Sequence, residues 1–160
     1  MMRALAVMGN VNVDLIMGPA TPWPKPGTEV VLDHDDLRPG GSAGNTALAW
    51  AGLGLPFTVA AAVGGDLFGR WLASALAPRS NGWTVLPAAT TLSVGLTHPD
   101  GERTFFTMRG HLPAMGWDAL APQLEGFADG LLLLCGSFLT DQLAADYPAI
   151  FAWAAERRID

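Results

Sequence analysis

Pro39-Gly40-Gly41-Ser42-Ala43-Gly44-Asn45, running into Thr46-Ala47-Leu48-Ala49-Trp50-Ala51-Gly52-Leu53-Gly54, is the stretch on which the reading of this chain turns. It is a glycine-rich turn followed by a helix of small residues, with one polar side chain, Asn45, delivered to the helix start. Glycine permits positive φ and lets backbone N–H groups approach a ligand closely. The first turn of the helix behind it carries unpaired N–H donors that favour oxygen-rich groups. Two phosphate-binding patterns fail on spacing. A P-loop has four residues between its glycines, then Lys and Ser/Thr; here Gly41, Ser42 and Ala43 alone separate Gly40 from Gly44, and Asn45 stands where Lys is needed. A dinucleotide fingerprint follows a strand directly, whereas Gly40 follows Asp35-Asp36-Leu37-Arg38-Pro39, read here as a polar run ending in proline. A helix start with small packing residues is the plain alternative.

Composition narrows the partners. The 160 residues suit one domain, with 50% hydrophobic residues and only 15% charged ones. Net charge is -6, Lys25 is the single lysine, and no basic run occurs, so nucleic acid is not an expected partner. Cys135 lies in Leu131-Leu132-Leu133-Leu134-Cys135 and reads as a buried core thiol. Asn10, Asn12 and Asp14 interrupt the apolar N-terminus, which is therefore neither a secretory signal nor a membrane span. A cytoplasmic protein with no membrane partner is the expectation.

Apolar runs at Arg3–Gly9, Phe57–Val63 and Leu131–Cys135 read as fully buried strands, and helical spacing marks 42–54, the stretch after Asp66, and the stretch from Leu143 to Ala154. Pro148 marks the start of that last helix or kinks it. Exposed strands are expected at roughly 11–18, 28–38, 92–98 and 103–109, the last two joined by a Pro99-Asp100-Gly101-Glu102 turn. Residues 113–130 read as partly helical. Buried strands alternating with helices predict an α/β fold with a doubly wound parallel sheet and a small accessory β-sheet. Stopping such a sheet at Asp160 leaves an open edge, which suggests a piece of a longer protein.

Five anchors occur in one order. They are Gly9-Asn10-Val11-Asn12-Val13-Asp14, Pro26-Gly27-Thr28, Gly40-Gly41-Ser42-Ala43-Gly44-Asn45, Val63-Gly64-Gly65-Asp66-Leu67-Phe68-Gly69 and Asp100-Gly101-Glu102-Arg103-Thr104. In this series the chain resembles the N-terminal half of the ribokinase-like (PfkB) carbohydrate kinases. The resemblance covers all 160 residues as one domain truncated at its C-terminal side, and it implies that the exposed strands form a lid over a sugar site. It also implies ATP-dependent phosphorylation of a sugar, nucleoside or related polyol. ATP and Mg²⁺ sites, and the general-base aspartate, are expected beyond residue 160, since no Gly-Ala-Gly-Asp turn occurs here. No catalytic residue and no metal ligand is expected within the chain.

The acceptor-binding residues that follow are Asn12, Asp14, Gly40, Gly41 and Asn45. A carboxylate accepts hydrogen bonds from two adjacent hydroxyls, and an amide both donates and accepts. Asn12 and Asp14 lie two apart, so strand alternation puts both on one face. Alternative roles stay open: a lid turn or cap for Asp14, helix capping for Asn45. Arg103 and Ser137 are further candidates, against a solvated lid arginine and a turn serine. Asp66 reads as a helix cap. His34, His98 and His111 lie in lid or loop segments without metal-ligand spacing. The competing function is a non-catalytic module that binds a polyol or dimerises through its lid strands; a nicotinamide-dependent oxidoreductase is disfavoured by the glycine spacing.

Overall fold

The computed structural model describes residues 3–160. In chain order the elements are β1 (Leu5–Gly9), β2 (Asn12–Met17), β3 (Asp35–Gly40), α1 (Ser42–Gly52), β4 (Thr58–Ala60), β5 (Ala62–Gly64), α2 (Leu67–Ala75), β6 (Thr84–Leu86), β7 (Leu92–Thr97), β8 (Arg103–Met108), α3 (Trp117–Leu120), β9 (Leu131–Cys135), α4 (Asp141–Ala145) and α5 (Tyr147–Glu156).

The core sheet is parallel in the order β4-β1-β9, with β5 and β6 forming a parallel pair beside it. Alternation along β1 sends its side chains to opposite layers. Val7 joins Val59, Ala43, Ala47 and Leu72 in the layer under α1 and α2, while Ala6 and Met8 join Leu120, Leu124, Leu143 and Ile150 on the other. Helices thus cover both faces, as a parallel sheet requires. Alanines at 6, 43, 47, 60, 61 and 62, all fully buried, let helix and sheet backbones approach closely.

Three expectations change. The run 57–63 is two strands, because the Gln123 amide takes both the N–H and the C=O of Ala61 and removes them from the ladder. Leu131–Cys135 is not fully buried: β9 is the outer strand, Leu131 and Leu133 are exposed, and Cys135 is its residue in the cluster beneath α1. The second exposed strand is Asp35–Gly40 rather than 28–38, so the run before Gly40 is itself a strand. Residues 28–34 belong to no strand. Hydrophobic alternation misplaced it because β3 is held by its antiparallel register with β2, not by its own apolar residues. Pro148 lies in the first turn of α5, one residue after its start at Tyr147, and does not kink it, and residues 112–124 hold short 3₁₀ turns around α3.

The lid is a four-stranded sheet, β3-β2-β7-β8. Its register makes it two-faced. Arg38, Asp14, Ser93 and Thr107 stand in one row across the strands, and Leu37, Leu15, Val94 and Phe106 in the next. Adjacent rows point to opposite faces, so one face is polar and the other apolar. The β7–β8 turn is the expected one, with Gly101 at φ 91. Among the described residues no helix is long and apolar enough to cross a membrane.

Leu72 is fully buried and Leu67 exposed on the same helix. Leu72→Ala is expected to cost about 2–5 kcal/mol of unfolding free energy, and Leu67→Ala less than about 0.5 kcal/mol, both measured by urea titration.

Candidate functional site

Between lid and core lies a cleft of about 270 Å³. β2 supplies Asn12 and Asp14 to it, and the link from β1 supplies Asn10. Asn12 Nδ2 donates to Asp14 Oδ1 at 2.7 Å, an alternation-paired contact on one strand face. Burial raises the Asp14 carboxyl above its usual range, opposed by the Asn12 hydrogen bond and by the charges of Arg38 and Arg103. A half-buried carboxylate with one oxygen engaged keeps acceptor capacity for hydroxyl donors.

Gly40 and Gly41 explain how that carboxylate fits. A Cβ on Gly40 would collide with the Asp14 carboxylate, and one on Gly41 would meet Asn10 O at 2.5 Å and Asn12 Oδ1 at 2.7 Å. Gly41 also holds φ 80, disfavoured for any other residue. The glycine pair therefore packs directly on the Asn-Val-Asn-Val-Asp segment. Ser42 Oγ then donates to Asn10 Oδ1 at 2.5 Å, and Ala43 N to Asn10 O at 3.1 Å, docking the start of α1 on the same segment.

The lid base is a second network. Thr91, at the entry to β7, donates its N–H to His111 Nδ1 at 3.1 Å and its hydroxyl to Arg109 O at 2.6 Å, where β8 returns to the core. Asp66 caps α2 by accepting from Gly69 N and also accepts from Thr90 N and Thr90 Oγ1. Its burial is outweighed by these hydrogen bonds, which lower its carboxyl. One N-cap thus ties a core helix to the strand entering the lid.

A model of the pfkB family carbohydrate kinases matches residues 2–158. The chain belongs to the PfkB family of carbohydrate kinases. Solved structures agree on the ribokinase-like fold. Phosphofructokinase-2 from Escherichia coli in complex with fructose-6-phosphate matches with TM-score 0.72 and 23% identity, over 99% of this chain and 53% of that one. Arabidopsis thaliana ribokinase complexed with ribose and ATP matches with TM-score 0.64 and 25% identity, over 84% and 45%. A fructokinase from Xylella fastidiosa matches with TM-score 0.62 and 22% identity, over 82% and 42%. The PfkB chain described here thus spans about half the length of these relatives. No curated protein sequence matches it.

Within this PfkB chain the structure brings Asn12, Asp14, Gly40 and Gly41 together, and Ser137 lines the same cleft. Ser137 also serves its own turn, its Oγ accepting from Leu139 N. Asn45 does not line the cleft. It stands exposed in the first turn of α1 and is not the cap, since Gly41 holds that position. Arg103 is exposed on β8 and reaches Asp14 by its charge, without lining the cleft. Residues that sequence reasoning left out are Asn10, Thr91, Ser93, Phe105, Thr107 and Phe138. Asn10 shares the spacing of Asn12 and Asp14 and was legible from it. Thr91, Ser93, Phe105 and Thr107 needed the lid register, and Phe138 needed the placement of the turn after β9 against the lid. His111, placed with loop histidines, is fully buried. Burial holds its imidazole down to about 4, against weaker raising effects of the Ala62 carbonyl and Asp66.

Among the described residues no three His, Cys, Asp or Glu side chains converge where a cation could sit. Among the described residues one ionisable group, Asp14, lines the cleft. These residues do not fit a Mg²⁺–ATP site.

Because the folded state keeps His111 neutral while the unfolded chain titrates at its ordinary value, stability is full above about pH 6.5 and falls as pH drops towards 4. His111→Asn retains an acceptor for Thr91 N without a titrating group. Between pH 7 and 4 the wild type is expected to lose roughly 3 kcal/mol more stability than this variant in parallel denaturant titrations. Equal losses would count against a neutral buried imidazole.

Proposed function

We propose that this chain is the acceptor-binding part of an ATP-dependent kinase that phosphorylates a sugar, a nucleoside or a related small polyol. The observation that carries the reading is Asp14, a half-buried carboxylate bonded to Asn12 and seated against Gly40 at the wall of a lid-covered cleft. Hydroxyl donors are the natural partners of such a group. Hydrogen bonds to a charged acceptor are stronger than neutral ones. Asn10 and Asn12 offer amides, Ser93 and Thr107 offer hydroxyls, and together they supply the mixed donors and acceptors that a polyol needs.

In this reading the chain's own residues bind and orient the acceptor, so that one hydroxymethyl group is presented for attack. Orientation of this kind is a large part of what phosphoryl transfer requires. ATP, Mg²⁺ and the general-base aspartate are assigned to residues beyond position 160. The family membership supports the reaction class, and the relatives named above include proteins complexed with ribose and ATP and with fructose-6-phosphate. A cytoplasmic setting fits a small-molecule kinase of this kind.

The test is calorimetry on the purified chain with D-ribose, D-fructose and adenosine, together with a phosphorylation assay with ATP. At least one of these polyols is expected to bind, with no ATP-dependent turnover by the chain alone. Asp14→Asn is expected to weaken that binding roughly 10–100-fold, the worth of a hydrogen bond to a charged group. Binding that is indifferent to Asp14 would sink the proposal, and turnover by the 160-residue chain would sink the division of labour.

A second, compatible reading is dimerisation through the lid. Its outer face places Leu37, Leu15, Val94 and Phe106 in one row, with Met108 beside them, and Leu37, Phe106 and Met108 are exposed. An apolar patch on a two-faced sheet is self-complementary across a two-fold axis. Phe106→Asp combined with Met108→Lys is expected to shift the chain from dimer to monomer in sedimentation velocity while leaving polyol affinity on the opposite face within about twofold. A wild type that sediments as a monomer at all accessible concentrations removes this reading.

A further inference from the structure

Two large aromatic side chains, Phe105 and Phe138, are left in solvent at the cleft. Phe105 comes from lid strand β8 and is 49% exposed; Phe138 comes from the core turn after β9 and is 84% exposed. Both line the space that holds Asp14. Hiding a phenylalanine side chain from water is worth about 1.5–3 kcal/mol, so the fold forgoes that gain at both positions.

The Phe105 ring has a seat, and the backbone that carries Phe138 is fixed. Phe105 lies across Gly95 of the neighbouring strand, in register with it, and a Cβ on Gly95 would meet the ring at 2.7 Å. The missing side chain is therefore the seat of the ring. Phe138 rides a turn locked by Ser137 N donating to Thr140 Oγ1 at 2.9 Å, Thr140 Oγ1 donating to Ser137 O at 2.8 Å and Leu139 N donating to Ser137 Oγ at 3.1 Å. Leu139, the next residue, is buried. The turn anchors one side chain in the core and holds its neighbour out.

Phe105 stands on the same lid face as Asp14, Ser93 and Thr107, and Phe138 reaches the same cleft from the core. The cleft thus offers aromatic rings beside its carboxylate, amides and hydroxyls. A flat apolar ring in this cleft would meet aromatic side chains from the lid and from the core.

We infer that Phe105 and Phe138 form an aromatic clamp that selects an acceptor carrying a flat ring beside its hydroxyls, as a nucleoside or an aryl glycoside does, over a free sugar. The inference rests on the acceptor-binding reading of Asp14 and names the substrate class for that site.

The experiment is calorimetry on the full 160-residue chain with adenosine, phenyl β-D-glucopyranoside and D-ribose, for the wild type, Phe105→Ala, Phe138→Ala and Asp14→Asn. Both phenylalanines are solvent-facing, so the alanine variants are expected to keep the wild-type melting temperature. At least one ring-bearing ligand is expected to bind about 10-fold or more tightly than ribose, and each alanine variant to weaken it about 3–10-fold while leaving ribose within about twofold. Adenosine ahead of the glucoside points to a nucleoside, and the reverse order to an aryl glycoside. Ring-bearing ligands that bind no better than ribose, or losses equal for ribose and adenosine, overturn the clamp. Where Asp14→Asn weakens every ligand and the phenylalanine variants change none, the clamp alone is wrong. Where no ligand binds the wild type, or Asp14→Asn changes nothing, the acceptor-binding reading falls and the clamp with it.

Discussion

The carboxylate of Asp14 occupies the space that a side chain at position 40 would need. From this contact much of the site follows. Gly40 ends β3, which pairs with β2 so that Asn12 stands opposite Gly40 and Asp14 opposite Arg38. Gly41 then turns at positive φ onto Asn10 and Asn12, and α1 begins at Ser42 with its first residues bonded to Asn10. A lid strand, a core helix and the polar segment between β1 and β2 are thereby fastened at one point. The half-buried carboxylate is tolerated because Asn12 bonds it and two arginine charges offset its desolvation.

The lid is held to the core at a second place, through Thr90, Thr91, Asp66 and His111. Every bond there is buried or partly buried, and the imidazole stays neutral because a charge at that depth would be costly. Between these two fastenings the sheet is free to be two-faced. Its register puts Asp14, Ser93 and Thr107 on the cleft side and Leu15, Val94 and Phe106 on the outside. A slip by one residue would exchange the two sets, so the β2–β7 pairing decides both what the cleft presents to a polyol and what the outer face presents to another copy of the chain.

Much of this was legible in the chain itself. The buried run of β1, the helix after Gly41, the Asp66 cap and the hairpin at Asp100-Gly101 follow from local hydrophobic pattern and turn chemistry. Other features were hidden for physical reasons. Gln123 splits a single apolar run by capturing the backbone of Ala61, a contact 62 residues away in sequence. β3 has no apolar alternation of its own and exists as a strand because β2 offers it a ladder. Asn45 stands in the most informative motif of the chain yet stays outside the cleft, because helix geometry carries it past the glycine pair.

Buried strands alternating with helices indicated the α/β class, and the order of motifs carried the resemblance to the family. It also named Asn12 and Asp14 as a pair, because alternation along one strand needs no tertiary knowledge. Only the folded structure decided that the glycines make room for Asp14, that Ser93, Thr107 and Phe105 join the cleft, and that His111 is buried at the lid base. Those features depend on register between strands far apart in the chain. Strand register is set by pairing and packing partners that no local pattern specifies.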